Sequence, residues 1–171
     1  TNDQRMATLL QLRIISLAGQ GRLEDARGAL SRLEDEHPER LLDVLAGLGA
    51  AAEQVAFEHR RTVGQLQWEL AESLNQRRDS LPPEHKLKLD ESLAQSHAAL
   101  GRYSQAAAVY QKLLWQRPND RRLIEDLARL YETCGSPSCL RSALKQWQTL
   151  ERLQRKGSPQ WLESRYHMAW C

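Results

Sequence analysis

The sequence predicts an all-α fold, an array of antiparallel helical hairpins with about nine helices, and three observations predict it. Ala, Leu, Glu, Arg and Gln, all strong helix formers, dominate the composition, while the Val, Ile and Thr runs that favour strands are missing. Apolar residues recur at spacings of three and four almost throughout, the period of amphipathic helices. The chain also repeats itself. Gly21 is followed by Ala26, Leu30, Leu33 and Pro38 at the same spacings at which Gly101 is followed by Ala106, Tyr110, Leu113 and Pro118, and Gly135 lies 34 residues beyond Gly101. A fixed period of that size is the mark of a helical solenoid, in which each hairpin touches only its neighbours.

Each element follows from local signals. The first helix carries Leu9, Leu10, Ile14 and Leu17 and ends at the Gly19–Gly21 break. Its partner runs from about Leu23 to Glu36, with Ala26, Leu30 and Leu33 on one stripe, and stops before Pro38 because proline disfavours helical backbone in the residue ahead of it. Residues 39–79 read as a second hairpin with a longer second helix, broken near Gly49 to Glu58. Its stripes are Leu41, Leu45, Leu48, Ala52 and Val55, then Val63, Leu66, Leu70 and Leu74. Pro82-Pro83 opens the next helix, since a first-turn proline lacks an N–H that would be unpaired anyway. That helix holds Leu87, Leu89, Leu93 and Leu100, and a helix over Tyr103–Gln116 follows it. Asn119-Asp120 offers a capping carboxylate to a helix with Leu123, Leu127, Leu130 and Tyr131. Ser136-Pro137 caps a helix with Leu144, Trp147, Leu150 and Leu153, and Ser158-Pro159 caps one from Trp161 to Cys171.

These residues resemble the tetratricopeptide repeat family. Its pattern asks for a bulky residue at position 4, Leu at 7, a small residue at 8, Tyr at 11, Gly at 15, Ala at 20, a bulky residue at 24 and Pro at 32. Leu93, Ala94, Gly101, Ala106, Tyr110, Leu113 and Pro118 meet it over 87–120, with Asp90 and His97 departing at positions 4 and 11. Over 7–40, Leu10, Leu17, Gly21, Ala26, Leu30, Leu33 and Pro38 agree, while Arg13 and Ile14 stand where Leu and a small residue are usual. Ile124, Leu127, Ala128, Tyr131 and Gly135 carry a third copy from 121. The units are therefore about 7–40, a divergent 41–86, 87–120, 121–159 and a truncated 160–171, within one array spanning 1–171. The divergent unit accounts for the spacing of 80 between Gly21 and Gly101. The resemblance implies a right-handed α-α superhelix with a concave groove.

Composition narrows the function. A formal charge of +2, with signs alternating along most helices, argues for solvated helix faces and against a nucleic-acid footprint. No stretch reaches the ~20 apolar residues that span a bilayer, so no membrane insertion is expected. Five dispersed histidines and three cysteines lack metal-ligand spacing; neither a metal nor another cofactor is expected. Cys134, Cys139 and Cys171 read as small, partly buried thiols in preference to a disulfide. His97 reads as a partly buried imidazole bonded to a neighbouring side chain, and Trp68, Trp115 and Trp147 as packing residues. No nucleophile elbow or phosphate-binding glycine loop appears, so the chain is not expected to be an enzyme. Localisation stays open, with the cytoplasm slightly favoured.

The resemblance implies that the first helix of each hairpin lines the groove, at positions 2, 5, 9, 12 and 13. The candidates are Lys88, Glu91, Gln95, Ala98 and Ala99 in one unit, and Arg122, Glu125, Arg129, Glu132 and Thr133 in the next. The first unit adds Thr8, Gln11, Ile15, Ala18 and Gly19. The expected function is a non-enzymatic protein-interaction scaffold that takes a peptide or helix of a protein partner, with Lys88, Arg122 and Arg129 supplying charge-assisted contacts. On this reading Arg129→Glu weakens capture without altering stability. The alternative is an assembly or regulatory module of a larger multidomain protein that contacts its own neighbouring domain. The final helix, lacking a partner helix, is expected to expose apolar surface, which leaves self-association through that end as an option.

Overall fold

The structure, a computed structural model, describes residues 2–37 and 40–171. Among the described residues it is all-α, with nine α-helices and no strand. These are α1 (Asn2–Gly19), α2 (Leu23–Glu36), α3 (Leu41–Gln54), α4 (Phe57–Gln76), α5 (Pro83–Ala99), α6 (Tyr103–Gln116), α7 (Arg121–Cys134), α8 (Pro137–Leu153) and α9 (Pro159–Trp170). A 3₁₀ turn spans Arg78–Ser80. The helix stop at Pro38 and the hairpin start at Glu39 lie outside the described residues.

Local chemistry sets the boundaries as the sequence suggests. Asp120, Ser136 and Ser158 accept from the backbone N–H groups of Leu123, Cys139 and Trp161, each satisfying one orphan donor of a helix start. Pro83, Pro137 and Pro159 occupy first helical positions. The glycines that define the repeat share a backbone reason: φ is 76° at Gly21, 73° at Gly101 and 68° at Gly135, a left-handed conformation that lets the chain reverse between helices.

The helices form two compact units, 1–102 and 103–171. In the first, α1 packs on α2, α3 and α4, while α3 packs on α4 and α5 and α4 on α5. Ile14, Leu33, Leu45, Leu48, Leu66, Leu70 and Leu89 are wholly buried in one core. Ile14, standing where a small residue is usual, is at 0% exposure. Leu9 departs from expectation at 61% exposed, because the buried stripe of α1 runs through Ala7, Leu10, Ile14 and Leu17 and turns position 9 outward.

Asp90, the residue at odds with the repeat pattern, is 4% exposed and takes a bidentate grip from Arg78, with Nη1–Oδ1 at 2.6 Å and Nη2–Oδ2 at 2.8 Å. A buried carboxylate is costly unless paired, and the 3₁₀ turn after α4 brings the guanidinium to it. The Asp90 hydrogen bonds in turn raise the Arg78 pKa above the usual arginine value. A second fork joins α2 to α4. Arg27 grips both carboxylate oxygens of Glu69, with Nε–Oε2 at 2.9 Å, and Gln65 donates to Oε1 at 2.8 Å. The Arg27 hydrogen bond holds the Glu69 carboxyl below its usual pKa.

In the second unit α7 packs on α6 and α8, and α8 on α9. Trp147, 1% exposed, centres a core with Ile124, Ala128, Ala143 and Leu150. Two expectations are corrected here. Cys134 and Cys139 are joined as a disulfide and are not free thiols, because Gly135 reverses the chain tightly enough to set their Cα atoms 6.1 Å apart. Trp115 is 86% exposed and does not pack, since the buried stripe of α6 runs through Ala106, Ala107, Tyr110 and Leu113. Trp68, in the first unit, is half-buried, with the Arg102 guanidinium 4.8 Å from its ring centre. On α9, Leu162, Tyr166 and Trp170 are exposed, the apolar surface expected of that helix.

Candidate partner-binding face

Within the first unit the helix α3 decides what its neighbours present. Its sequence, LLDVLAGLGAAAEQ, places two glycines and a run of alanines between α1 and α5. A Cβ at Gly47 would run into Cδ1 of Ile15 on α1. A Cβ at Gly49 would lie 2.5 Å from Oε1 of Gln95 on α5 and 3.0 Å from Nε2 of Gln67 on α4. The missing side chains let both candidates lie against the α3 backbone. Ile15 is half-buried and rests against the core, with Gln11 one turn earlier on α1.

Gln67 is at 0% exposure, and its Nε2 donates to Gln95 Oε1 at 3.3 Å. Its own Oε1 is buried without a hydrogen-bond partner among the described residues. Lys88 and Glu91 lie on the same α5 stripe as Gln95, the first exposed and the second half-buried. Ala98 and Ala99 are half-buried, and the Ala99 methyl would meet a Cβ built on Gly64 at 2.5 Å. At the end of α1, Ala18 is wholly buried and Gly19 stands beside Val55. Thr8 turns its hydroxyl back onto the Gln4 carbonyl at 2.9 Å.

His97, one turn beyond Leu93 on α5, is half-buried, and its Nδ1 has no hydrogen-bond partner among the described residues, where a bonded imidazole was expected. Burial and, behind it, the Arg102 charge lower its pKa, with Glu72 opposing.

The candidates of the second unit are engaged differently. Arg129 binds Glu125 one turn back at 2.8 Å and reaches across to Glu163 of α9, also at 2.8 Å, with its guanidinium carbon 5.8 Å from the Trp147 ring centre. Burial opposes its charge, but the Glu125 and Glu163 carboxylates outweigh that and hold its pKa above the usual value. Glu132 Oε1 accepts from Trp147 Nε1 at 2.8 Å and from His167 Nδ1 at 2.9 Å, and the Cys171 thiol approaches to 3.8 Å. The His167 ring stacks on Trp147, 4.3 Å between centroids. Burial first, and the Glu132 carboxylate second, push the Cys171 thiol up. Thr133 donates to the Arg129 carbonyl at 2.9 Å, and Arg122 is exposed.

The structure thus brings Ile15 and Gln95 to either side of one helix and ties Arg129 and Glu132 to α9. Sequence reasoning passed over Gln67, Gly47, Gly49, Glu163 and His167. Gln67 had a readable signal, a polar residue inside the apolar stripe Val63, Leu66, Leu70 and Leu74. No group of three or more His, Cys, Asp or Glu side chains among the described residues could hold a metal ion. No helix among them is long and apolar enough to cross a membrane.

Comparison with known proteins adds one finding. The family model for the tetratricopeptide repeat matches residues 92–120, from the middle of α5 to the turn after α6. No curated protein matches the chain. The matched stretch is the copy in which the residue pattern was fullest, and the all-α hairpin structure agrees with it: residues 92–120 carry a tetratricopeptide repeat.

Proposed function

We propose that this chain is a non-enzymatic interaction scaffold, and that the face built by α1, α3 and α5 receives an extended peptide or helix of a protein partner. Tetratricopeptide repeats are suited to protein interaction, because hairpin stacking leaves one helix of each pair with a free face. The observation that carries the reading is the seating of Ile15 and Gln95 against α3, in the space that a Cβ would fill at Gly47 and at the buried Gly49. Ile15 supplies an apolar anchor, and Lys88 and Glu91 offer both charge signs at the rim.

The test is panning of a random dodecapeptide library on the immobilised protein. Selected peptides should lose affinity at least about fivefold, near 1 kcal/mol, with Lys88→Glu or Ile15→Ala while circular dichroism stays unchanged. If selected peptides ignore both variants yet fail on Arg122→Glu, the seat lies on α7. A second reading, docking onto a further protein domain, is favoured by the exposed Met6, Leu9 and Leu12 of α1 and Leu162, Tyr166 and Trp170 of α9. It predicts that Leu9→Gln with Leu12→Gln, or Leu162→Gln with Tyr166→Gln, releases a partner that the α5 variants retain.

A further inference from the structure

We infer that the Cys134–Cys139 disulfide is a redox-operated clip on α9. Oxidised, it keeps the helix seated on α7 and α8; reduced by a dithiol, it lets the C-terminal half of α9 come away. The inference does not depend on the peptide-binding reading. Helix α9 is shallowly held, since Ser164 is its one fully buried residue and Leu162, Tyr166 and Trp170 face solvent. A helix with so little buried apolar surface opens at low free energy, so polar contacts decide where it sits. In its first half Glu163 meets Arg129 at 2.8 Å and Ser164 donates to Gln154 at 3.0 Å. In its last turn two contacts converge on one atom. Glu132 Oε1 takes His167 Nδ1 at 2.9 Å and the Cys171 thiol at 3.8 Å, while Trp147 Nε1 fixes that oxygen from α8 at 2.8 Å.

Glu132 lies in the last turn of α7, two residues before Cys134, where the helix ends. Helix ends fray, because their last carbonyls lack intrahelical partners. Here the end is stitched to the start of α8: Cys134 is bonded to Cys139, whose backbone N–H donates to Ser136 Oγ at 3.2 Å. Gly135 N–H also closes on the Tyr131 carbonyl, a long bond at 3.3 Å. Reduction leaves such weak hydrogen bonds to hold the turn that carries Glu132. Both cysteines are half-buried, within reach of a reductant. A thiolate of the dithiol attacks one sulfur and releases the other cysteine, and its second thiol then displaces the first. Two electrons and two protons pass to the chain, Cys134 and Cys139 end as thiols, and the reductant ends as a disulfide. Cys171 takes no part in this exchange. Burial and the Glu132 carboxylate keep its thiol protonated, which makes it a donor to that carboxylate and a poor nucleophile. Release uncovers the Trp147 ring on which His167 stacks and turns Glu132 to solvent.

The experiment is amide hydrogen exchange, read by mass spectrometry on the whole chain, oxidised and then reduced with dithiothreitol. Peptides from the C-terminal half of α9 should exchange about tenfold faster or more after reduction, whereas peptides of α1 keep their rates. Cys134→Ser with Cys139→Ser should show the fast α9 rate without reductant, and Cys171→Ser should respond as the native chain does. Glu132→Ala should be fast at α9 already and gain nothing there from reductant. Unchanged α9 exchange on reducing the native chain overturns the inference. So does loss of the response in Cys171→Ser, or a Glu132→Ala chain whose α9 still accelerates tenfold on reduction. Failure of Cys134 and Cys139 to crosslink in oxidised glutathione overturns it too. The native-chain comparison stands even where a variant fails to fold.

Discussion

Helices α5 and α7 carry groove candidates at the same repeat positions, yet their side chains meet different fates. Position 9 is Gln95 in one and Arg129 in the other. Gln95 lies against the buried Gly49 of α3 and accepts from Gln67 of α4. Arg129 lies within reach of α9, which offers Glu163, and its charge is spent inside the unit. Position 12 differs as well: Ala98 is a methyl, and Glu132 is a part-buried acceptor for Trp147 and His167. A repeat position therefore confers exposure of a type of side chain, and the adjacent helix decides whether that side chain remains available. An acidic neighbour on α9 holds Arg129, and an amide neighbour on α4 holds Gln95.

The comparison can be broken most forcefully at Trp147. Trp147→Ala removes the largest buried side chain of the second unit and should cost about 3–5 kcal/mol in urea denaturation. It also strips Glu132 of its indole donor, so amide exchange along α9 should accelerate sharply; retained protection there would show that α9 does not depend on this hub. Next in size is the crosslink. Replacing Cys134 and Cys139 together by serine should cost about 2 kcal/mol, the chain-entropy value for so short a loop, and reductant should lower the melting temperature of the native protein alone.

Arg129→Glu sharpens the contrast directly. An exposed pair contributes about 0–1 kcal/mol, and a glutamate facing Glu125 and Glu163 adds repulsion, so a loss near 1 kcal/mol is expected. The sequence alone suggested no change in stability; an unaltered melting temperature would mean that the α9 bridge contributes nothing and Arg129 is free for a partner. The smallest effect belongs to His97. Its pKa is lowered in the folded chain, so the unfolded chain binds the proton more readily, and stability is fully present above the usual histidine value of 6.5 and declines as pH falls below it. Melting curves between pH 7.5 and 5 should show that decline, and His97→Gln should flatten it.

Most of the helical framework was legible, because its signals are local. The extents of α2 and α6 follow from the repeat glycine and the apolar stripe, and the caps at Asp120, Ser136 and Ser158 follow from residue type alone. What escaped depends on distant residues meeting. Period-3.6 counting admits Leu9 and Trp115 to a stripe, but only the packed neighbours show that both face outward. The disulfide was not favoured because a Gly-Ser-Pro turn lets Cys134 and Cys139 approach without fixing their separation, which the fold sets at 6.1 Å between Cα atoms. In the candidate face, Ile15 and Gln95 are proposed from the resemblance, whereas the Gln67 contact needs α4 and α5 side by side.

The Arg78–Asp90 fork constrains how this chain can vary. An aspartate stands where the repeat usually sets a bulky apolar residue, and its charge is tolerable in the core only while a cation faces it. Where one ionic couple substitutes for a greasy plug, both halves must change together, because losing the arginine twelve positions upstream alone would strand a charge in the interior.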